Sequence, residues 1–307
     1  MLDWDVIIVG GGPAGLTAGL YLSRGRYRTL LLEKENFGGQ IKNVEWIENY
    51  PGFARGVAGP ALASEMVAQA TSYGLRLEQA EVIKVELYSG SRNVQCADGR
   101  GWTAEAVVLA SGCRRKKLGV PGEQEFEGKG VIKCALCDGD QFSSKVVVVC
   151  GGGDSGVTEA LYLTKLASRV ILLEAEPLIT ANAVLQERAL SNQKLEIHCG
   201  IRVKEILGNQ HVEAIAFEDV ATGQRGTRQV EGVLVDIGLE PNTAFLENSV
   251  KLDSQGQVCV NERMETGVPY VFAAGDIRGG SPKQVVTAVG DGATAAIFIQ
   301  RLGLVQS

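Results

Sequence analysis

Two cysteines three positions apart, Cys134 and Cys137, are the residues of this chain best suited to redox chemistry. A pair at this spacing can close a small-loop disulfide, and such pairs have a lowered thiolate pKa and exchange readily. Asp138 follows directly and could shuttle the proton that dithiol chemistry must move. The pattern therefore predicts thiol–disulfide exchange with Cys134, Cys137 and Asp138 as catalytic residues. A solvated turn aspartate before Gly139 is the alternative interpretation of Asp138.

A zinc site and an inert buried pair are the structural alternatives for the two cysteines. Zinc would need two further ligands, and the chain offers only His198 and His211, with no second cysteine pair at suitable spacing. No metal is therefore expected. The remaining cysteines are scattered and are expected to be small buried hydrophobic residues: Cys96, Cys113, Cys150, Cys199 and Cys259.

A repeat surrounds this pair. Gly10–Gly15 follows an apolar strand pattern and precedes a helical one, and Gly151–Gly156 repeats the arrangement 141 positions later. Glu33 and Glu174 each lie 23 positions after the first glycine of their own turn. Glycines at this spacing permit a tight turn, contact with a pyrophosphate and close packing of helix on strand, and the acid accepts hydrogen bonds from a ribose.

Both turns are therefore predicted to bind dinucleotides, with the phosphates at the helix N-termini. The candidate residues of the first turn are Gly10, Gly12, Pro13, Ala14, Gly15 and Glu33, and those of the second are Gly151, Gly153, Asp154, Ser155, Gly156 and Glu174.

The repeat also predicts the fold. Each copy continues into a period-two pattern with glycine turns, at residues 81–111 and 201–238, which is typical of a small antiparallel meander. We expect an α/β protein with two Rossmann-like, three-layer dinucleotide-binding domains, the second inserted in the first. The first domain is assigned to residues 1–116 and 244–307, and the second to residues 117–243. A closing helix is expected from about Lys283 to Arg301.

Composition excludes some partners. The net charge of −6 disfavours nucleic acid, which needs a basic face. No apolar run approaches the roughly 20 residues that a membrane span needs. The acidic N-terminus, Met1–Asp5, differs from a basic secretory signal. A cytoplasmic protein without nucleic-acid or membrane partners is expected.

Several short motifs accompany the cysteine pair and the two turns. They are Gly38-Gly-Gln40, Glu48-Asn-Tyr-Pro-Gly52, Ala110-Ser-Gly112, Gly119-Val-Pro-Gly-Glu123, Cys134-Ala-Leu-Cys-Asp-Gly139, Ile237-Gly238, Pro241-Asn-Thr243 and Ala273-Ala-Gly-Asp276. With these motifs the chain resembles the low-molecular-weight thioredoxin reductases along nearly its full length. The resemblance implies a homodimer that passes electrons to a thioredoxin-like protein, another dithiol or disulfide protein, or a small disulfide.

The resemblance also implies that FAD binds the first domain. Beyond the glycine turn and Glu33, the residues it assigns to FAD are Lys34, Gln40, Asn49, Val82, Gly112, Gly275, Asp276, Lys283, Gln284 and Val285. Asp276 would contact the ribityl chain, and the last three residues would lie near the flavin ring.

The second copy departs from the family where arginines clamp the 2′-phosphate of NADPH. Glu174-Ala-Glu176 occupies that run, Thr180 occupies a later basic position, and no Lys or Arg lies between Glu174 and Arg188. Specific use of NADPH is therefore disfavoured. Three alternatives stay open for the second site: NADH, a second FAD, or no dinucleotide with another electron donor. A dithiol oxidase that uses oxygen and a flavin sensor without turnover are the alternative functions.

Overall fold

The computed structural model describes residues 2–88 and 90–304, and it divides into two compact units. The first unit comprises Met1–Arg114 and Glu240–Ser307, and the second comprises Arg115–Leu239. The predicted crossings at 116/117 and 243/244 differ from these boundaries by a few residues. Within the described residues, no helix is long and apolar enough to cross a membrane.

The described residues of the first unit's first segment, 2–88 and 90–114, form seven strands and two α-helices, the last strand ending one residue beyond it. They are β1 (Trp4–Val9), α1 (Pro13–Arg24), β2 (Thr29–Glu33), a 3-10 helix (Gly39–Asn43), α2 (Gly59–Thr71), β3 (Arg76–Gln79), β4 (Val82–Leu87), β5 (Arg92–Cys96), β6 (Gly101–Leu109) and β7 (Cys113–Arg115).

The second unit follows. Its elements are β8 (Val131–Ile132), α3 (Ala135–Asp138), a 3-10 helix (Gly139–Phe142), β9 (Val146–Cys150), α4 (Asp154–Leu163), β10 (Arg169–Glu174), α5 (Ala183–Ser191), β11 (Leu195–Cys199), β12 (Ile201–Gly208), β13 (Val212–Asp219), β14 (Arg225–Gln229) and β15 (Gly232–Val235). The next strand, β16 (Leu239–Pro241), begins at the boundary with the first unit. The chain then returns through a 3-10 helix (Ala244–Leu246), β17 (Val271–Ala273) and α6 (Val285–Arg301).

Each unit is built on a parallel sheet, which confirms the predicted α/β class. In the first unit β3, β2, β1, β6 and β17 pair in parallel in that order. In the second unit the order is β11, β10, β9, β15 and β8. Along each central strand, the side chains alternate between two apolar cores, because successive side chains point to opposite faces of the sheet. In the second unit, α4 and α5 contribute to one of these cores, and β12 and β13 contribute to the other.

The meanders of the two units differ from each other. In the second unit β12, β13 and β14 form a separate antiparallel sheet, as expected for a meander beside the main sheet. In the first unit β4 and β5 are hydrogen-bonded to the main sheet through β6. The predicted first meander is therefore present as β4, β5 and β6, but it is continuous with the main sheet and does not lie beside it as a separate sheet. The reason is the length of β6, whose first residues pair with β5 and whose last residues pair with β17.

Two local expectations also need correction. The closing helix begins at Val285, because Lys283 has a positive φ of 58° and Gln284 is extended. Of the five scattered cysteines, Cys199 and Cys259 are only half-buried, whereas the other three are buried. Cys199 ends the edge strand β11, where neighbouring strands cover one side only.

Candidate functional site

The cysteine pair lies at the start of a short helix in the second unit. Cys134 and Cys137 form a disulfide with Cα atoms 5.4 Å apart. Cys134 caps α3, and its sulfur accepts the backbone N–H of Cys137 at 3.1 Å. Cys134 is buried, whereas Cys137 is exposed. The exposed sulfur is therefore the one that a second protein can reach.

Asp138 is the last residue of α3 and is exposed beside Cys137. Its backbone N–H donates to the carbonyl oxygen of Cys134 at 3.2 Å. The placement puts a carboxyl group next to the accessible cysteine in sequence and at the surface. Its role in proton transfer stays a prediction.

The glycine turn of the first unit joins β1 to α1. Gly10 has a φ of +113°, and a Cβ there would lie 2.2 Å from the carbonyl oxygen of Ala110. Only glycine fits such a position without moving the backbone. By contrast, a Cβ on Gly12 would meet nothing closer than 3.9 Å, so the turn is open on that side. Pro13 and Ala14 begin α1 directly behind it.

Glu33, at the end of β2, is hydrogen-bonded to this turn. Its Oε2 accepts the N–H of Gly11 at 2.7 Å, and its Oε1 accepts the N–H of Glu35 at 3.0 Å. A cavity of about 360 Å³ lies beside it, and among the predicted residues Gly10, Glu33, Lys34 and Val82 line it. The structure thus brings an open glycine turn, the carboxylate of Glu33 and a cavity together in one place.

Other residues of this cavity were not predicted as site residues. Ser111 and Asn242 both line it, and each side chain hydrogen-bonds the backbone carbonyl of the other at 2.8 Å. Arg114 and Phe245 line it as well. The sequence contained a signal for the first pair, since Ser111 and Asn242 belong to two of the short motifs that carry the resemblance, Ala110-Ser-Gly112 and Pro241-Asn-Thr243.

Asp276 follows β17 in the first unit. Burial raises the pKa of its carboxyl above the ordinary value of 3.8, although the Ser281 hydroxyl donates to it at 3.0 Å. The preceding Gly275 has a positive φ of 79° and lies against Ala14, which places this loop beside the start of α1. A half-buried acid therefore lies next to the glycine turn.

An ion pair that sequence reasoning missed positions this loop. Arg278 contacts Asp291 on α6 through two hydrogen bonds of 2.6 and 2.8 Å, and Asp291 also accepts the N–H of Gly275 at 3.0 Å. Both side chains are largely buried.

The remaining predicted FAD residues are spread around the same unit. Asn49 donates to Gln284 at 2.9 Å, which joins two of them. Gln40 and Lys283 are exposed, Val285 is the first residue of α6, and Gly112 has a positive φ of 61°. The described residues that line the cavity of about 360 Å³ do not include Gln40.

The glycine turn of the second unit repeats these contacts. Gly151 has a φ of +119°, and a Cβ there would lie 1.9 Å from the carbonyl oxygen of Asp236. Glu174 accepts the N–H groups of Gly152 at 2.6 Å and of Glu176 at 2.9 Å. A Cβ on Gly153 would again meet nothing closer than 3.9 Å. The acid therefore has the same two backbone donors in both units.

The two turns differ at the first helical position. Asp154 begins α4 where Pro13 begins α1, and its Oδ1 accepts the N–H of Asn182 at 2.7 Å. Ser155 follows and is exposed. An acid at a helix N-terminus stabilises the helix, but it also places negative charge where a phosphate would bind.

Lys194 does not supply the missing basic residue of the second site. Its Nζ donates to the carbonyl oxygens of Thr164 and Ala167, each at 3.1 Å. It also precedes β11, whose other end pairs with Glu174. Lys194 is therefore held near the start of β11, whereas Glu174 is at the opposite, carboxyl end of the neighbouring strand β10.

Known proteins resemble this chain over almost its whole length. Residues 4–292 match the family described as pyridine nucleotide-disulphide oxidoreductase. The thioredoxin reductase of Bacillus subtilis (strain 168) is 41% identical over 298 residues, which cover 97% of this chain and 94% of that protein. The thioredoxin reductase of Treponema pallidum (strain Nichols) is 38% identical over 294 residues, covering 96% and 95%. The crystal structure of Lactococcus lactis thioredoxin reductase matches with a TM-score of 0.95 at 34% identity, covering 97% of this chain and 98% of that one.

Proposed function

The chain belongs to the pyridine nucleotide-disulphide oxidoreductase family, and we propose that it is a flavin-dependent disulfide oxidoreductase that transfers electrons between FAD and the Cys134–Cys137 disulfide. The partner is a thioredoxin-like protein or another dithiol or disulfide compound. The observation that carries the proposal is a disulfide with one exposed sulfur in a chain that also has an open dinucleotide turn. We place the enzyme in the cytoplasm as a homodimer.

The residues of the first unit fit FAD. The turn at Gly10 is open for a pyrophosphate, Glu33 lies at the end of β2 to accept ribose hydroxyls, and the adjoining cavity is about 360 Å³. Asp276 would bind the ribityl chain, and Asn49 with Gln284 would lie near the ring. When bound, FAD supplies two-electron exchange with the disulfide.

The cysteines themselves perform the exchange with the partner. In the reduced pair, the Cys137 thiolate attacks a partner sulfur, which forms a mixed disulfide and releases one partner thiolate. The Cys134 thiolate then attacks the Cys137 sulfur, which closes the intramolecular disulfide and releases the second partner thiolate. Asp138 donates a proton to one leaving thiolate, and solvent supplies the proton for the other. Two electrons and two protons thus pass to the partner disulfide.

For the second site we propose a dinucleotide whose ribose 2′-hydroxyl is free, either NADH or a second FAD. Glu174 would accept that hydroxyl, as Glu33 does in the first unit. A 2′-phosphate would meet repulsion of roughly 4 kcal/mol per unit charge pair at 4 Å and an effective dielectric of 20. It would also lack charge-assisted hydrogen bonds worth about 1.5–3 kcal/mol each. Even half of this sum weakens NADPH by about two orders of magnitude or more.

The test measures partner reduction without assuming an electron donor. Enzyme loaded with FAD is reduced anaerobically with dithionite and mixed with oxidised thioredoxin. Cys137→Ser should lower thioredoxin reduction by on the order of 10³-fold or more, because the attacking thiolate is absent. Its flavin content should not change. Cys199→Ser, which removes a half-buried thiol away from the pair, is the matched control.

Unchanged thioredoxin reduction by Cys137→Ser would contradict the proposal. Rapid oxygen consumption with a dithiol, combined with no transfer to thioredoxin, would instead favour a dithiol oxidase. Sedimentation of the purified protein tests the homodimer.

A further inference from the structure

The repeat reveals two acids that have no counterpart in the first unit. Counted along the repeat, Ala18 of α1 corresponds to Glu159 of α4, and both are buried. The carbonyl that faces the first glycine is that of Ala110 in one unit and of Asp236 in the other. Two buried alanines in the first unit are thus two buried carboxylates in the second.

Arg115 joins these two acids within the second unit. Its Nη2 donates to Oε1 of Glu159 at 2.5 Å. Its Nη1 lies 3.2 Å from Oδ2 of Asp236, an ion pair that lacks hydrogen-bond geometry. One cation thus lies between two carboxylates, and all three side chains are largely buried. Burying such a group costs free energy, so a well-packed apolar core would serve stability at least as well.

The same network contacts the redox segment. Oε2 of Glu159 accepts the backbone N–H of Ala135 at 2.6 Å. Ala135 follows Cys134 directly, and both residues are buried. Glu159 therefore fixes the peptide unit that adjoins the less accessible sulfur of the pair.

We propose that Glu159 is a positioning residue for the Cys134–Cys137 pair: it orients the Ala135 amide, and its negative charge opposes thiolate formation at Cys134. This inference rests on the proposed function of the pair. With both acids ionised, the network of Glu159, Arg115 and Asp236 carries one net negative charge beside the peptide unit that follows Cys134. Burial raises the pKa of Glu159, and Arg115 counteracts that rise.

Other ionisable groups lie on the elements packed against α3. Tyr162 and Asp154 are on α4, Asp140 is on the adjacent 3-10 helix, and Asp138 is on α3 itself. The three aspartates are exposed, so solvent and salt screen their charge. Glu159 is buried, and its carboxylate hydrogen-bonds the segment between the cysteines at Ala135.

The test compares Glu159→Gln with wild type in the equilibrium between disulfide and dithiol. The glutamine keeps an oxygen for the Ala135 N–H but removes the charge. Holoenzyme is equilibrated in dithiothreitol redox buffers at pH 7 and pH 9.5, alkylated, and scored by mass spectrometry of the Cys134–Cys137 peptide. We expect the reduction equilibrium constant to change less than about twofold at pH 7. At pH 9.5, where thiolates form, it should rise about three- to fivefold, or about 15–20 mV.

Two further variants keep the inference falsifiable. Asp236→Asn removes a charge of the same network without touching Ala135, and should shift the pH 9.5 equilibrium in the same direction by about twofold. Glu187→Gln makes the chemical change of Glu159→Gln on the exposed face of α5 and should shift neither equilibrium. An equal shift at both pH values would indicate simple loosening of the segment and overturn the inference, as would no shift at pH 9.5. The thioredoxin-reduction assay of Cys137→Ser tests the proposed function separately. The equilibrium measurement involves no partner protein, so the two proposals can fail independently.

Discussion

The two glycine turns of this protein have the same local structure, yet the helices behind them are covered by different kinds of side chain. In each unit the first glycine has a φ near 115°, and an acid 23 positions later accepts the following N–H. In the first unit, Gly292 of α6 lies so close to α1 that a Cβ would reach the Ala14 carbonyl oxygen at 2.2 Å. In the second unit, α4 carries the buried Glu159 against the redox segment.

The difference in what covers the two helices distinguishes the two functions proposed for the units, which are dinucleotide binding in the first and redox chemistry at the cysteine pair in the second. The turn and its acid depend on the backbone and can be repeated without change. What covers the helix is free to vary, and small residues on α1 permit close packing of α6, whereas a carboxylate on α4 bonds the segment that contains the cysteines. One repeated framework thus supports an open glycine turn beside a cavity in the first unit and, in the second unit, a glycine turn together with the Cys134–Cys137 disulfide.

The largest effect that would test this comparison comes from matched changes in the first glycine of each turn. Gly10→Ala forces a Cβ against the Ala110 carbonyl at a positive φ, and Gly151→Ala does the same against Asp236. Strain of this kind costs about 1–3 kcal/mol before the overlap is counted. We expect Gly10→Ala to lower FAD affinity about 100-fold, and Gly151→Ala to leave one FAD per chain. Flavin absorbance and extracted FAD per chain measure both.

The wild-type count sharpens the result. A value approaching two FAD per chain that falls to one in Gly151→Ala would assign the second site to FAD. A constant count of one, with loss of NADH reduction in Gly151→Ala, would assign it to NADH. Loss of all flavin in Gly151→Ala would contradict the independence of the two sites.

A smaller effect is expected at the acid of the second turn. Glu174→Arg removes the repulsion of a 2′-phosphate and adds a cation, so the preference for NADPH over NADH should rise about tenfold. The change should be partial, because Glu176 and Thr180 remain. Initial rates of flavin reduction with each nucleotide measure the ratio.

The matched variant in the first unit is Glu33→Arg. It should weaken FAD binding and leave the nucleotide preference unchanged. Saturable NADPH reduction of the wild-type flavin at micromolar concentration, faster than with NADH, would refute the assignment of Glu174.

The smallest predicted effect concerns the first helical position. Asp154→Asn removes negative charge from the N-terminus of α4 but keeps an oxygen for the Asn182 N–H. Dinucleotide affinity at the second site should rise about two- to fivefold, since a charge at a helix end is worth about 0.3–1 kcal/mol. Titration with NADH and with FAD measures it, and Glu187→Gln controls for net charge. A fall in affinity would mean that Asp154 contacts the ligand favourably.

The sequence by itself determined the α/β class, both glycine turns and the two strand-tip acids. Each of these depends on residues close together in the chain, and a constant offset relates the two copies. It also identified Cys134 and Cys137, because their spacing alone permits a disulfide. The exact start of α6 and the joining of the first meander to the main sheet were not predictable in this way, since they depend on the backbone conformation of Lys283 and on the length of β6.

Tertiary structure alone decided which charged residues are buried together. Arg115, Glu159 and Asp236 are far apart in sequence, and by type each is an ordinary surface residue. The same holds for Arg278 and Asp291 beside Asp276. Their burial follows from the elements that pack over them, and no local pattern encodes that packing. The packing of α4 against α3 therefore determines the electrostatic surroundings of the cysteine pair.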